Sequence, residues 1–278
     1  MEISNNGDVM EKLKIREMSI LKSFIKVCDK LKLQYFALGG TCLGAARHSG
    51  FIPWDDDIDL GMKRADFEIF IKEGQKYLPE EMFIQTRTTD PEYKQNFAKI
   101  RLSSTTFIET AVKNDNINHG VFIDIFPVDY CPDNEKEYRK LWSELRKCGR
   151  ITGNSFTIKD VDNRLMNRIF TSSTMKGTVR RALDKNDRLI KRTKHSTLMA
   201  NFCGAWGEKE VVPAEIFDNV VSVKFEDIEI NVPWMYREYL TYIYGDYMQL
   251  PPEDKRVAHH YTEVIDLDKP YTEYIKKK

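Results

Sequence analysis

No stretch of this sequence approaches the roughly 20 apolar residues that a membrane-spanning helix needs, and the first residues lack a basic segment leading into an apolar one. A soluble chain in the cytoplasm is expected, with peripheral contact at the inner face of a membrane as the alternative. The tail Lys276, Lys277 and Lys278 offers charge to anionic lipid but reads more simply as a solvated end. Net charge is lacking as well: Lys plus Arg and Asp plus Glu number 43 each, so the global electrostatics give no reason to expect a nucleic-acid partner. Paired cysteines are missing too. Cys28, Cys42, Cys131, Cys148 and Cys203 are odd in number, widely spaced and free of any CxxC, which argues against a disulfide framework and a cysteine-rich zinc site and favours a reducing compartment.

What the chain does have is a local concentration of negative charge. The stretch 38–62 reads LGGTCLGAARHSGFIPWDDDIDLGM, in which four of five consecutive residues, Asp55, Asp56, Asp57 and Asp59, are carboxylates around Ile58. Several carboxylates side by side repel one another and are costly to bury, so a cation is expected among them. The run 34–38 is short, apolar and aromatic, as a strand is, and Gly39 and Gly40 end it where the backbone needs freedom or close approach to a ligand. Thr41 is then expected to cap the following turn, with backbone N–H groups turned toward an anion, a phosphate above all. If Ile58, Leu60 and Met62 face a core, the period of two places Asp57 and Asp59 together on the other face. Such a pair beside a phosphate-cradling turn suits a hard divalent ion, Mg²⁺ or Mn²⁺. Asp55 and Asp56 read equally well as solvated loop residues.

With 278 residues, 41% of them hydrophobic, the chain is long enough for one substantial core with an added helical part. Residues 8–31 show helical spacing in Met10, Leu13, Ile20, Phe24, Val27 and Leu31, and 64–77 reads as a second helix closed by Pro79. Strands are expected at 81–86, 97–102, 105–109 and 120–126. In the last of these Asp124 alone interrupts an apolar run; it is read as a third metal carboxylate, the alternative being an ion pair with Lys99 or Arg101. Lys99 and Arg101 share a strand face and are candidates for phosphate oxygens, or else for surface charges on an edge strand. Residues 135–149 and further segments to 200 read as helices, with 185–194 a basic, solvated face or, as a second reading, a contact for an anionic acceptor. A hairpin is expected at 221–232 and an aromatic helix at 234–244, stopped by Gly245. The domain reading is therefore a catalytic core with its N-terminal helix at 1–130, a helical region at 131–205, and a hairpin and helix completing the site at 206–278.

The glycine turn followed by Asp-Ile-Asp resembles the nucleotidyltransferase fold. With Arg47, Gly50, Ile52, Pro53 and Trp54 it resembles the LicD family of phosphocholine and related phosphotransferases more specifically. Further blocks agree: Lys99, Ile100 and Arg101; HGVFIDIFPVD from His119; and YGDYMQLPP from Tyr244, with Arg256, His259 and His260. The resemblance implies an α+β fold, a mixed sheet flanked by helices with a helical insertion, and Asp57, Asp59 and Asp124 as metal-binding and catalytic residues. It implies substrate contacts from Gly39, Gly40, Thr41, Arg47, Trp54, Lys99, Arg101, Arg256, His259 and His260. The activity implied is transfer of phosphocholine from CDP-choline, or of another CDP-alcohol's phospho-alcohol group, to a hydroxyl of a glycan or glycolipid, releasing CMP. Asp124 is a candidate acceptor for the hydroxyl proton. A quaternary ammonium is recognised by aromatic faces, and Trp54, Trp206, Trp234 and several tyrosines permit such a cage without requiring one. The alternatives are nucleotidyl transfer to a small molecule and a catalytically inactive glycan-binding protein.

Overall fold

The computed structural model describes residues 7–152, 173–258 and 260–275. His259 and the tail Lys276, Lys277 and Lys278 fall outside them. Among the described residues no helix is long and apolar enough to cross a membrane, and all five cysteines are free thiols. The chain divides into two compact units, one of Met1–Tyr93, Phe97–Pro127 and Ile216–Lys278, the other of Lys94–Asn96 and Val128–Glu215.

The first unit opens with α1 (Gly7–Leu31), whose buried residues fall on one stripe because they recur three and four apart. Phe24 on that stripe meets Tyr35 and Phe70 edge-on, at 5.1 and 5.2 Å between centroids. A mixed sheet follows, made from β1 (Phe36–Ala37), β2 (Asp59–Lys63), β3 (Met82–Gln85), β4 (Ala98–Leu102) and β6 (Val121–Cys131), in the order β1-β2-β6-β4-β3. Two helices, α2 (Gly39–His48) and α3 (Arg64–Glu73), flank β2 in sequence. Ile58, Leu60 and Met62 are fully buried, as their alternation with Asp57 and Asp59 requires. The observed architecture is thus α+β with a mixed sheet and helices. Two pieces from the C-terminal part complete this unit: the hairpin of β9 (Val220–Phe225) and β10 (Ile228–Pro233), and β11 (Thr262–Asp266), which pairs with β5 (Thr106–Glu109).

Strand β6 is longer than the 120–126 run suggests. Val121–Ile125 pair with β4, whereas Asp129, Tyr130 and Cys131 pair with β7 (Leu198–Ala200). Pro127, which has no N–H for a ladder, lies between the two sets of partners, where none is needed. In the second unit β7 also pairs with β8 (Val211–Pro213), and α4 (Glu135–Thr152) and α5 (Ser173–Ile190) supply the helices. The stretch to 200, expected to be helical, therefore contains a strand. Three residues are too few to show a period, and the free edge of β6 decides the outcome by offering hydrogen-bond partners. Leu141, Trp142, Leu145, Ile190, Ala200 and Phe202 form the local core.

Glu210 in this unit is 4% exposed. Its Oε1 accepts the Trp206 N–H at 3.0 Å, and its carboxyl fills the space a Cβ on Gly204 would occupy. Burial raises its pKa to about 7, against hydrogen bonds from Trp206 and Asn201 that pull it down. A carboxyl raised on folding adds stability that is complete below its unfolded value of about 4.3 and is lost as pH rises through the folded value. Denaturation midpoints at pH 5 and pH 8 are expected to fall more for the wild type than for Glu210→Gln; parallel curves would show that Glu210 is not held protonated.

Candidate active site

All described site residues belong to the first unit. Helix α2 begins at Gly39, whose φ of +47° suits glycine. The Gly39 N–H donates to the Tyr239 hydroxyl at 3.1 Å. A Cβ on Gly40 would stand 2.5 Å from Asp55 Oδ2, so the missing side chain is what lets the acidic loop close over the helix start. Thr41 does not cap this helix, as its sequence position suggested. Leu38 is the N-cap residue, with no side-chain cap, and Thr41 sits in the first turn with its Oγ1 accepting the Asp59 N–H at 2.8 Å. It ties the turn to the acidic strand instead.

Asp55 and Asp56 are 5% and 2% exposed, which settles their open reading against solvated loop positions. Among the described residues, Asp55, Asp56 and Asp57 are the group of ligating side chains whose oxygens lie within 4.8 Å of one another. The loop is held from three sides. Lys14 of α1 donates to the carbonyls of Ile52 and Pro53 at 3.2 and 3.1 Å. Glu226, at the hairpin tip with φ +53°, accepts the Phe51 N–H at 2.9 Å and donates its own N–H to Ser49 O at 2.9 Å. The His260 N–H donates to Asp56 Oδ2 at 3.2 Å, with its Nδ1 3.4 Å from Oδ1.

The charges shape one another. Burial, then Asp55, raises Asp57 to about 7, and burial, then Asp57 and Asp124, raises Asp59 well above the carboxylate range. Burial followed by Asp56 lifts Asp55 to about 6. Burial alone would lower His260, but Asp56, Asp57 and Glu109 outweigh it and bring the imidazole to about 10, protonated at neutral pH.

Asp124 sits on β6 directly opposite Lys99 on β4, so their side chains share a face and meet. Lys99 Nζ donates to Asp124 Oδ2 at 3.0 Å and lies 2.8 Å from Oδ1. Oδ1 itself, closed to solvent, receives no hydrogen bond of acceptable angle. Lys99 is therefore engaged in the ion pair that formed the alternative reading of Asp124, and its ammonium also stands 3.4 Å from the Phe122 ring centre. Even so, Asp124 remains within the electrostatic reach of Asp57 and Asp59. Arg101 differs from its expected role. Its side chain is 0% exposed and donates to Gln85 Oε1, Gly120 O and Glu109 Oε2 at 2.8, 2.9 and 3.2 Å. The strand is interior, not an edge, so this guanidinium braces the core and not a ligand. Burial would raise Glu109, yet Lys99, Arg101 and His260 hold it at about 2.

Arg47 donates to the carbonyls of Tyr247 and Gln249 at 2.7 and 3.4 Å, which fastens the segment after α6 (Tyr236–Tyr244) to α2. Arg256 donates to Pro251 O at 2.9 Å and lies over the Trp54 ring at 5.4 Å, so Trp54 does face a cation, one supplied by the protein. Trp206 belongs to the second unit.

The group of Asp55, Asp56 and Asp57 offers oxygen-only donors within 4.8 Å of one another, the chemistry of a hard divalent cation, whereas Asp59 and Asp124 are not among them. Sequence reasoning missed Glu17, Lys14, Glu109 and the hairpin-tip role of Glu226. Glu17 carries a signal in hindsight, a charge in an otherwise apolar slot of the α1 stripe, whereas the others depend on contacts distant in sequence.

The LicD/FKTN/FKRP nucleotidyltransferase domain matches residues 32–161. Over 274 residues, 93% of this chain and the full length of the relative, the sequence is 31% identical to the lipopolysaccharide cholinephosphotransferase LicD of Haemophilus influenzae. A shorter match, 45% identical over 42 residues, relates it to the human ribitol 5-phosphate transferase FKRP, covering 15% of this chain and 8% of that protein.

Removing one partner of a buried ion pair leaves the other uncompensated. Arg101→Met is expected to cost about 3–5 kcal/mol of folding stability, and adding Glu109→Gln to recover part of it in a double-mutant cycle of denaturation energies. Equal losses in the single and double variants would mean that the pair does not act as described.

Proposed function

The chain belongs to the LicD family, and on that premise we propose that it is a metal-dependent transferase moving phosphocholine from CDP-choline to a hydroxyl of a lipopolysaccharide-type glycan. The full-length similarity to a cholinephosphotransferase of lipopolysaccharide carries this reading, and the buried carboxylate group beside the Gly39 and Gly40 turn supports it. In the reaction the acceptor oxygen forms a bond to the phosphorus bearing choline, the bond from that phosphorus to the CMP oxygen breaks, and CMP leaves with the electron pair.

Asp57, Asp59 and Asp124 would hold Mg²⁺ or Mn²⁺. When bound, such an ion neutralises charge on the phosphorus oxygens and orients them. The protein's own part is placement. Gly39 and Gly40, without side chains, bring the carboxylates of Asp59 and Asp55 against the start of α2, so the diphosphate would meet the acidic group there and not open N–H groups. His260, protonated beside Asp56, keeps positive charge next to the carboxylates and supports the loop that presents them. Asp124, ion-paired with Lys99, is the carboxylate we assign to the hydroxyl proton. Arg256, whose guanidinium lies 5.4 Å over the Trp54 ring, would offer its charge to the phosphate.

The test is CMP release from CDP-choline with a lipopolysaccharide acceptor and Mg²⁺. Asp57→Asn and Asp59→Asn are each expected to lower kcat/KM by about 10³-fold, the scale of several kcal/mol of charge stabilisation. Pyrophosphate release from a nucleoside triphosphate, in place of CMP, would reassign the chemistry to nucleotidyl transfer. Unchanged turnover in both variants would remove the carboxylates from the reaction.

A further inference from the structure

Polar side chains also collect at the other side of the sheet from the acidic turn. Strand β3 closes the strand order, with β4 and β6 between it and β2, a separation of three strand spacings or about 14 Å. Beside β3 lies a depression of about 500 Å³, open to solvent and lined in part by Glu80, Asp90, Ser103, Asn116, Asn118 and Tyr271. That volume suits a small ligand.

Its walls are fixed before anything binds. Asp90 is 8% exposed, and its Oδ2 accepts both the Gln85 side-chain amide and the Asn118 N–H at 2.8 Å. Asn118, also buried, donates its side-chain amide to Ser103 Oγ at 2.8 Å and accepts the Gly120 N–H at 2.9 Å. The Tyr271 N–H donates to Thr105 O at 3.0 Å, and its ring meets His119 edge-on.

What these bonds leave unused defines the ligand. Both bonds to Asp90 fall on Oδ2, which leaves Oδ1 as an acceptor, and Ser103, having accepted from Asn118, keeps its hydroxyl proton to donate. Tyr271 adds a hydroxyl that can do either and an aromatic face. Met82 and Ile117, both buried, add apolar surface. No Lys, Arg or His stands among the described lining residues, so an anion would meet Glu80 and Asp90 with no cation to offset them. A divalent ion lacks a donor set here, because among the described residues the ligating oxygens close enough to share one belong to Asp55, Asp56 and Asp57. A quaternary ammonium neither donates nor accepts, and would cover these groups without meeting them. A neutral ring carrying several hydroxyls meets them all, since each hydroxyl both donates and accepts and the C–H face between them suits the Tyr271 ring.

We propose that this depression binds a neutral sugar unit, with Asp90 and Ser103 taking its hydroxyls and Tyr271 its C–H face. It holds a glycan by a unit other than the one that reacts at the acidic turn. The inference deepens the transferase reading and rests on it for the glycan that carries the unit, but the depression itself is tested by binding and not by turnover.

Methyl glycosides of glucose, galactose and mannose, together with N-acetylglucosamine, are offered singly to the full chain, and binding is read by saturation-transfer difference NMR. At least one is expected to bind the wild type. Tyr271→Ala removes the ring, and Asp90→Asn keeps a carbonyl oxygen for Gln85 and Asn118 while replacing the free acceptor with a donor; each is expected to weaken that binding by about tenfold. Retained wild-type circular dichroism identifies a folded variant, and either one suffices. Binding of none of the four sugars by the wild type, or unchanged binding in a folded variant, would overturn the proposal. Choline binding that the same substitutions abolish, with no sugar bound, would overturn it too and give the depression to the headgroup. Sugar binding without CMP release from CDP-choline would overturn the transferase reading and leave this one standing; CMP release by a chain that binds no sugar would do the reverse.

Discussion

Mutual repulsion among crowded, largely buried carboxylates is the constraint from which the rest of the first unit can be understood. Asp55, Asp56, Asp57, Asp59 and Asp124 are drawn into one region in which burial and neighbouring charge push Asp55, Asp57, Asp59 and Asp124 toward protonation. Left to itself such a loop would swing into solvent, where the desolvation cost vanishes. It is kept in place by backbone hydrogen bonds that do not depend on the carboxylates: Lys14 on Ile52 and Pro53, Glu226 on Ser49 and Phe51, Thr41 on Asp59. The destabilisation is thereby stored locally, as functional sites often do, and offset by ordinary packing in α1, the sheet and the hairpin.

A second layer of charge lies behind the first. Arg101 and Glu109 form an interior pair with Gln85 and Gly120 as additional partners. Phe122 lies against both Arg101 and Lys99, which sets the two cations on one face of β4. One of them braces the sheet and the other reaches Asp124. Identical strand position therefore does not mean identical role: what separates Lys99 from Arg101 is the residue each meets across the ladder, Asp124 for one and Phe122 for the other.

Membership of the LicD family and the geometry of the carboxylates are independent lines. The first comes from similarity spread over the whole chain, the second from burial and distance. They meet in the stretch from Gly39 to Asp59, where glycines without side chains and aspartates without enough cations occupy the same few ångströms.

Much of this was legible in the chain itself. Periodicity of three and four marked α1, alternation placed Ile58, Leu60 and Met62 on the core side of β2, and turn residues bounded the hairpin, because each of these signals is local and repeats within a few residues. The glycine pair and the density of Asp announced a crowded acidic turn for the same reason. Tertiary structure alone decided the partners. Strands β7 and β11 exist because edges of β6 and β5 were waiting for them, Thr41 became a tie to Asp59 and not a cap, Arg101 turned inward, and His260 returned from the far end of the chain to Asp56. Hydrogen bonds and ion pairs between residues some 20 to 200 positions apart leave no periodic trace in a sequence; only the folded chain brings their ends together.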